Sequence, residues 1–488
     1  MKRIVRVVLL LLLTVSMILP VFASCKQKNK DNESNTVTTE QRIEAETYPD
    51  DLGTFNFNGN EFKVLSVEAT EGTYTTFDVS GDNREDFVDD AVYRRNRIIE
   101  NRFNVLFESY TEKEYQECFE KLKTEAMAAT EGWDLIMLIN RNAYTAIQEG
   151  LICLPQDLRY IDMSKDYYLH DVNDALTIDG IPLFAYSDES IYTFERSVCL
   201  CVNLKAIKDN QMADPYELVN SGEWTFDTFF QMVRDGTVKD GDGNTTFWGC
   251  AGMADYAGTS YWFGCGQSMM SLNNDKTKMR FSIGTNPVVL EITEKIYNLV
   301  ENQEMFADYW RGSDTYWTTH FLNGTALFQN TVVGKIRYNR GVEGWDYGVL
   351  PYPKYNSEQE FYYSRVVDAW LHVVPKTCRD IDRASVILEA LASGSSQLVF
   401  PAYYHKVLKY QIMRNSVDID MLEIIRAHRT FDLADVTWAT EIRAPLIQAL
   451  LRRENIATFA NSRVYTINEQ QVKPLLALVG TLKAAQAQ

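Results

Sequence analysis

Over residues 61–148 the apolar positions change period from block to block, and each change predicts a new element. Glu61–Val67 (EFKVLSV) reads as a strand. Val88, Val92, Ile99 and Phe103 then mark one face of a helix, and Asn104–Tyr110 (NVLFESY) returns as a strand. Tyr115, Cys118, Phe119, Leu122 and Ala126 mark a second helix. It leads into Trp133–Leu138, a short apolar run of the kind shown by a strand buried on both faces. That run gives way to a polar corner, Asn140-Arg141-Asn142; Ala143–Gln148 reads as a short helix, and Gly150 is placed to stop it. The order is βαβαβ, the sign of a parallel sheet covered by helices. In such a sheet ligands sit outside the carboxyl ends of strands, so the 140–142 corner is expected to touch a small polar ligand. The unit lacks a G-x-G-x-x-G corner, and a dinucleotide is not indicated.

The first residues carry a different pattern. Lys2, Arg3 and Arg6 precede an apolar run from Val7 to Leu19, closed by Phe22-Ala23-Ser24-Cys25 with small residues before the cysteine. This pattern predicts a signal peptide over residues 1–24. Thr14, Ser16 and Pro20 interrupt the run, which argues against a retained spanning helix. Residues 26–48 are polar, with Val37 and Ile43 as their only large apolar side chains, and cannot bury enough surface to order themselves. They fit a tether.

Composition narrows the function. The chain has 488 residues, 48 basic and 67 acidic, for a net charge of −19. Loss of residues 1–24 removes three positive charges and leaves a net charge near −22. Such a surface repels nucleic acid, and no basic patch offsets it. About 440 residues follow the tether, more than one core normally serves, so two lobes are expected. The 9 Trp and 27 Tyr suit a protein that stacks flat faces on sugar rings.

Reactive motifs are sparse. Seven cysteines follow Cys25, an odd number that argues against a full disulfide framework and for small buried thiols; Cys250 with Cys265 is the one pair kept open as a bridge. Asp240–Asn244 (DGDGN) invites a calcium loop, but counting from Asp240 puts Thr245 at position 6 and Ala251 at position 12, so a solvated turn fits better. The five histidines show no ligand spacing, and neither G-x-S-x-G nor H-E-x-x-H occurs. No cofactor and no metal are expected. A hydrolase using two facing carboxylates stays open as an alternative, since 67 acidic residues leave many possible pairs.

The run EGWDLIMLINRNAYTAIQEGLICLPQDL resembles the third strand, loop and helix of family 1 extracellular solute-binding proteins, the sugar-capturing components of ABC importers of the maltose-binding type. ERSVCLCVN (195–203), DPYELVNSGEWTFDTFF (214–230), KDGDGNTTFWG (239–249), FLNGTALFQN with YGVLPYPK (within 321–354) and VPKTCRDIDRASVILEALA (374–392) resemble later segments of that family in order, and 401–432 matches the variety found in larger Gram-positive lipoproteins. The resemblance implies an α/β fold of periplasmic-binding-protein-like type II, each lobe a mixed sheet flanked by helices, with the ligand cleft at the hinge. Residues 49–188 with 352–400 would form one lobe and 189–351 with 401–488 the other, joined by strands near 188–200 and 345–355. Phe22–Cys25 resembles a lipobox with Phe22 in place of the usual Leu, which implies lipidation of Cys25 and anchoring on the outer face of the cell membrane; a plain secreted protein is the alternative. The implied partners are an oligosaccharide and ABC permease subunits, with the chain itself monomeric.

Ten residues are the expected ligand contacts. Asn140, Arg141 and Tyr144 stand at the first-lobe corner, Glu195 and Arg196 at the crossing, and Tyr261 and Trp262 where such proteins present a stacking aromatic. Asn330 ends the strand ALFQN, and Asp368 and Trp370 lie near the return to the first lobe. A surface ion pair for Arg141, a helix–sheet contact for Tyr144 and simple core positions for Tyr261, Trp262 and Trp370 are the competing readings. Trp224 is expected to be structural, stapling the helix that Thr225 caps. A glycan-binding surface lipoprotein without a permease would share the same cleft.

Overall fold

The computed structural model describes residues 50–68, 74, 77, 80, 86–253, 258–308, 316–413 and 415–486. The expected signal peptide, Cys25 and the tether lie outside them.

The βαβαβ unit forms as its periodicity predicts. β1 (Asn60–Val67) buries Phe62, Val64 and Leu65. α1 (Phe87–Phe103) is capped by Asp86, whose carboxylate accepts from the Val88 N–H at 2.8 Å, and ends where Asn104 turns into the left-handed region. β2 (Val105–Glu112) follows, and α2 (Tyr115–Ala128) opens with a capping box between Glu114 and Glu117. β3 (Leu135–Ile139) is buried at every position. α3 (Asn140–Gln148) begins three residues earlier than the sequence pattern suggests. The polar corner is therefore the first turn of a helix, because polar side chains at a helix start do not break the backbone pattern that a hydrophobic period reads.

After a short helix, α4 (Tyr192–Glu195), the chain enters β4 (Val198–Asn203), buried throughout. α5 (Phe226–Gly236) is capped by Thr225 and backed by Trp224, which is fully buried and donates its indole N–H to Pro351 O at 2.9 Å. Trp224 is structural, as expected. β5 (Thr245–Met253), α6 (Thr259–Gly264), α7 (Pro287–Glu301), β6 (Met305–Asp308), β7 (Ala326–Val332) and β8 (Tyr347–Leu350) complete this region. A Cβ at Gly249 on β5 would lie 1.9 Å from the Val233 carbonyl oxygen, so only glycine lets α5 lie this close to the sheet.

The chain then returns through β9 (Ser364–Arg365) and β10 (Trp370–Val373), followed by α8 (Ile381–Gly394), β11 (Arg429–Thr430) and α9 (Leu433–Thr437). The first sheet has the order β10–β3–β1–β2, with β10 antiparallel and the others parallel. The second has the order β6–β5–β7–β4–β8, in which β4 runs against both neighbours. Two mixed sheets with helices on their faces are the expected fold class. β4 and β8 belong wholly to the second sheet, so the passages between sheets lie beside these strands. One of them is fastened by a bridge between Ser197 and Val366. From residue 50 onward the described residues form one compact unit. Its main core runs from Leu65, Ile136 and Leu138 of the first sheet to Leu200, Phe328 and Leu350 of the second.

The Asp240 carboxylate accepts from the backbone N–H groups of Asp242 and Asn244, closing the turn on itself. Cys250 and Cys265 are free: the Cys250 thiol faces Asn330 Oδ1 and the Cys265 thiol faces the Pro353 carbonyl. The pair kept open as a bridge is not one. All seven cysteines after Cys25 are buried thiols, and burial pushes each of their pKa values upward.

Candidate functional site

The N-cap residue of α3, Ile139, makes no side-chain hydrogen bond to the first turn. Asn140 Oδ1 accepts the neighbouring Arg141 N–H at 3.0 Å, and Asn140 Nδ2, on a fully buried residue, has no partner among the described residues. A buried amide donor left unmet is costly, and such groups collect at functional places. The Asn140 N–H bonds the Ala369 carbonyl at 3.0 Å, and Ile139 pairs with Trp370 across the β3–β10 ladder. This register brings the start of α3 beside Asp368 and Trp370, more than two hundred residues later in the chain.

Asp368 is the hub. Its carboxylate accepts from Arg141 Nη1 at 3.2 Å and from Arg443 Nη2 at 3.1 and 3.2 Å, while Arg443 Nη1 holds the Val367 carbonyl at 2.7 Å. Burial pushes the Asp368 carboxyl upward, but Arg443, Arg141 and the more distant Arg196 outweigh it and hold the group below the ordinary carboxylate range. Arg141 lies over the Tyr115 ring, 4.7 Å from its centre, and Arg196 lies over Trp370 at 4.8 Å. Tyr192 packs against Trp370 at 4.9 Å, and the Trp370 indole N–H is buried without a partner among the described residues.

Glu195 stands next to this group but is fully engaged by Arg337, whose Nε also holds the Gly334 carbonyl. Burial raises the Glu195 carboxyl pKa despite that partner. Its role here is to fasten the segment Val333–Gly341 to α4. On the same segment, burial and the nearby Arg196 push the Lys335 amine down to about 8.

The second-sheet contacts expected from sequence are not at this place. Asn330 is fully buried and has every amide atom in use: Nδ2 donates to the hydroxyls of Tyr261 and Tyr352 at 2.9 Å each, and Oδ1 faces the Cys250 thiol. Tyr261 is closed in by Phe229, Phe226 and Tyr352. Trp262 donates its indole N–H to Thr293 at 3.1 Å inside the core. Tyr144 is buried edge-on against Trp438, and burial pushes its hydroxyl up to about 12. These four are core residues; for Tyr261 and Trp262 the reason is that a helix six residues long turns its aromatic side chains inward, where the sequence pattern allowed either side. Asn140, Arg141, Arg196, Asp368 and Trp370 do come together. Tyr115, Tyr192, Lys335, Arg337 and Arg443 complete the surroundings and went unrecognised. Tyr115 had one signal, its position just past the carboxyl end of β2; Arg443 had none.

A hydroxyl–imidazole–carboxylate chain also occurs, with Ser66 Oγ 3.0 Å from His372 Nε2 and His372 Nδ1 against Glu189. All three residues are at most 4% exposed and Ser66 lies within strand β1. A nucleophile needs access to its substrate, so here the chain links β1, β10 and residue 189 within the core.

No family model matches the chain, and no curated relative does. Solved structures do. UspC of M. tuberculosis superposes with a TM-score of 0.56 at 14% identity, over 84% of this chain and 99% of its own. A cyclo/maltodextrin-binding protein complexed with maltotetraose gives 0.56 at 14%, over 84% and 97%. UgpB from Mycobacterium tuberculosis, in complex with glycerophosphocholine, gives 0.56 at 13%, over 84% and 98%. At these identities the likeness is one of fold, and it extends over nearly the whole of each of those proteins.

Proposed function

We propose that this chain, with the fold of two-lobed solute-binding proteins, is an extracellular solute receptor that captures an oligosaccharide and delivers it to the permease of an ABC importer. The observation that carries this reading is the group around Asp368. It unites the carboxyl end of β3, the start of β10 and the passage before β4, and it holds buried donors at Asn140 and Trp370 with no partner among the described residues. A few convergent polar groups of this kind are what a small-ligand site carries. Maltotetraose in one structural neighbour supports a saccharide as the solute. Residues 49–188 with 352–400 and 189–351 with 401–488 are the lobes that would close on it by hinge motion, no bond of the ligand being made or broken.

A panel of oligosaccharides tests this. One member is expected to stabilise the protein by about 2.7 kcal/mol at a hundredfold excess over Kd, read as a rise in Tm, and to shift tryptophan emission through Trp370. Turnover of any member would favour a hydrolase instead. The two carboxylates nearest the site speak against that: Glu195 is engaged by Arg337, and Asp368 by Arg141 and Arg443, which leaves neither poised as an acid–base pair.

The anchor is part of the same proposal. Cys25→Ala is expected to move the protein from the membrane fraction to the medium; the same distribution for both forms would remove the lipid anchor.

A further inference from the structure

Resting on the receptor reading, we propose that the site takes an acidic saccharide, whose carboxylate meets Arg141 and Arg196 while the Asn140 amide and the Trp370 indole N–H serve its hydroxyls.

The aromatic rings argue first. A neutral sugar is usually held by stacking on an open ring face. Here the Tyr115 face carries Arg141 at 4.7 Å, and Trp370 has Arg196 over it at 4.8 Å and Tyr192 tilted against it at 4.9 Å. What the site presents is therefore guanidinium, not ring. Stacking also fixes each guanidinium plane; Arg196 keeps its N–H edge for an acceptor, and Arg141, which gives Nη1 to Asp368, keeps its remaining N–H groups, an arrangement that suits a planar carboxylate.

Charge argues second. Asp368 is the carboxylate around which Arg141, Arg443 and, at longer range, Arg196 gather. Arg196 makes no ion pair among the described residues; its contact is the Trp370 ring. Lys335, next to Arg196, is held near pKa 8 in part by that like charge. Cations crowded this closely repel one another, and an incoming oxyanion relieves the repulsion. The crowding stands out in a chain whose net charge is −19. The buried donors argue third. Asn140 Nδ2 and Trp370 Nε1 lack acceptors among the described residues, and sugar hydroxyls and ring oxygens supply them.

Calorimetry on the mature chain tests the proposal with short oligomers of galacturonate, glucuronate and mannuronate, each beside its uncharged methyl ester. One acid is expected to bind, with its ester weaker by about tenfold or more. Arg196→Gln and Arg141→Gln, each checked for an unchanged circular-dichroism spectrum and a cooperative unfolding transition, are expected to bring the acid and ester affinities together, and Arg196→Lys to restore part of the difference. An ester that binds as well as its acid, or acid binding indifferent to both glutamine variants, overturns the proposal. So does preference for a sulfated or phosphorylated sugar over every carboxylate. A hit confined to neutral oligosaccharides overturns it too, yet leaves the receptor reading standing. Silence across both panels removes the two together.

Discussion

Arg365→Ala is expected to lower the free energy of unfolding by about 3–5 kcal/mol. Arg365 and Asp435 are completely buried and face each other through two parallel bonds, Nε to Oδ2 and Nη2 to Oδ1, both 2.8 Å. Arg365 Nη1 also reaches Ser260 Oγ at 3.3 Å, and the guanidinium lies over the Phe263 ring. The pair therefore fastens β9 to α6 on one side and α9 on the other. Removing the arginine strands a carboxylate without water or a counter-charge, so the loss exceeds what the pair itself contributes. Urea unfolding measures it. The double change Arg365→Met with Asp435→Leu is expected to recover most of the loss, because an apolar pair of similar volume has no charge to desolvate. A single variant within about 1 kcal/mol of the parent would mean that water reaches the site.

Asp368→Asn is expected to cost about 2–3 kcal/mol at neutral pH. The amide offers Arg141 and Arg443 one oxygen and no charge, and leaves three guanidiniums facing one another. The pH dependence separates this from a packing defect. The folded carboxyl lies below the ordinary 3.8, so the stability it contributes is complete above that value and is lost as the pH falls through the folded one. The gap between parent and variant should stay constant from about pH 5 to 8 and narrow only below about 3.8. A gap that closes already at pH 5 would show that the arginines do not hold this group down.

The architecture was legible because its signals are repetitive. Val88, Val92, Ile99 and Phe103 recur at helical spacing, and Leu135–Ile139 is apolar at every position because both faces are covered. Boundaries were less legible where polar residues begin a helix, as at Asn140. The site divides by chemistry. Arg141, Arg196 and Asp368 drew notice as charges beside apolar strands, and the structure brings them together. Tyr261 and Trp262 misled because an aromatic side chain carries no mark of the side to which it turns; a six-residue helix settled that, and Asn330 and Thr293 satisfied their polar atoms. Arg443 was invisible because its tie to Asp368 spans 75 residues and follows no local period.

The seven thiols have a use beyond packing. Each is buried and reluctant to ionise in the folded chain, whereas all become ordinary cysteines once the chain opens. A thiol-reactive dye thus meets a chemically silent molecule until a segment unfolds around it. Cys118 on α2 and Cys153 sit with the first sheet, Cys199, Cys201 and Cys250 within the second, so the order in which peptides acquire label is a timetable of which sheet comes apart first.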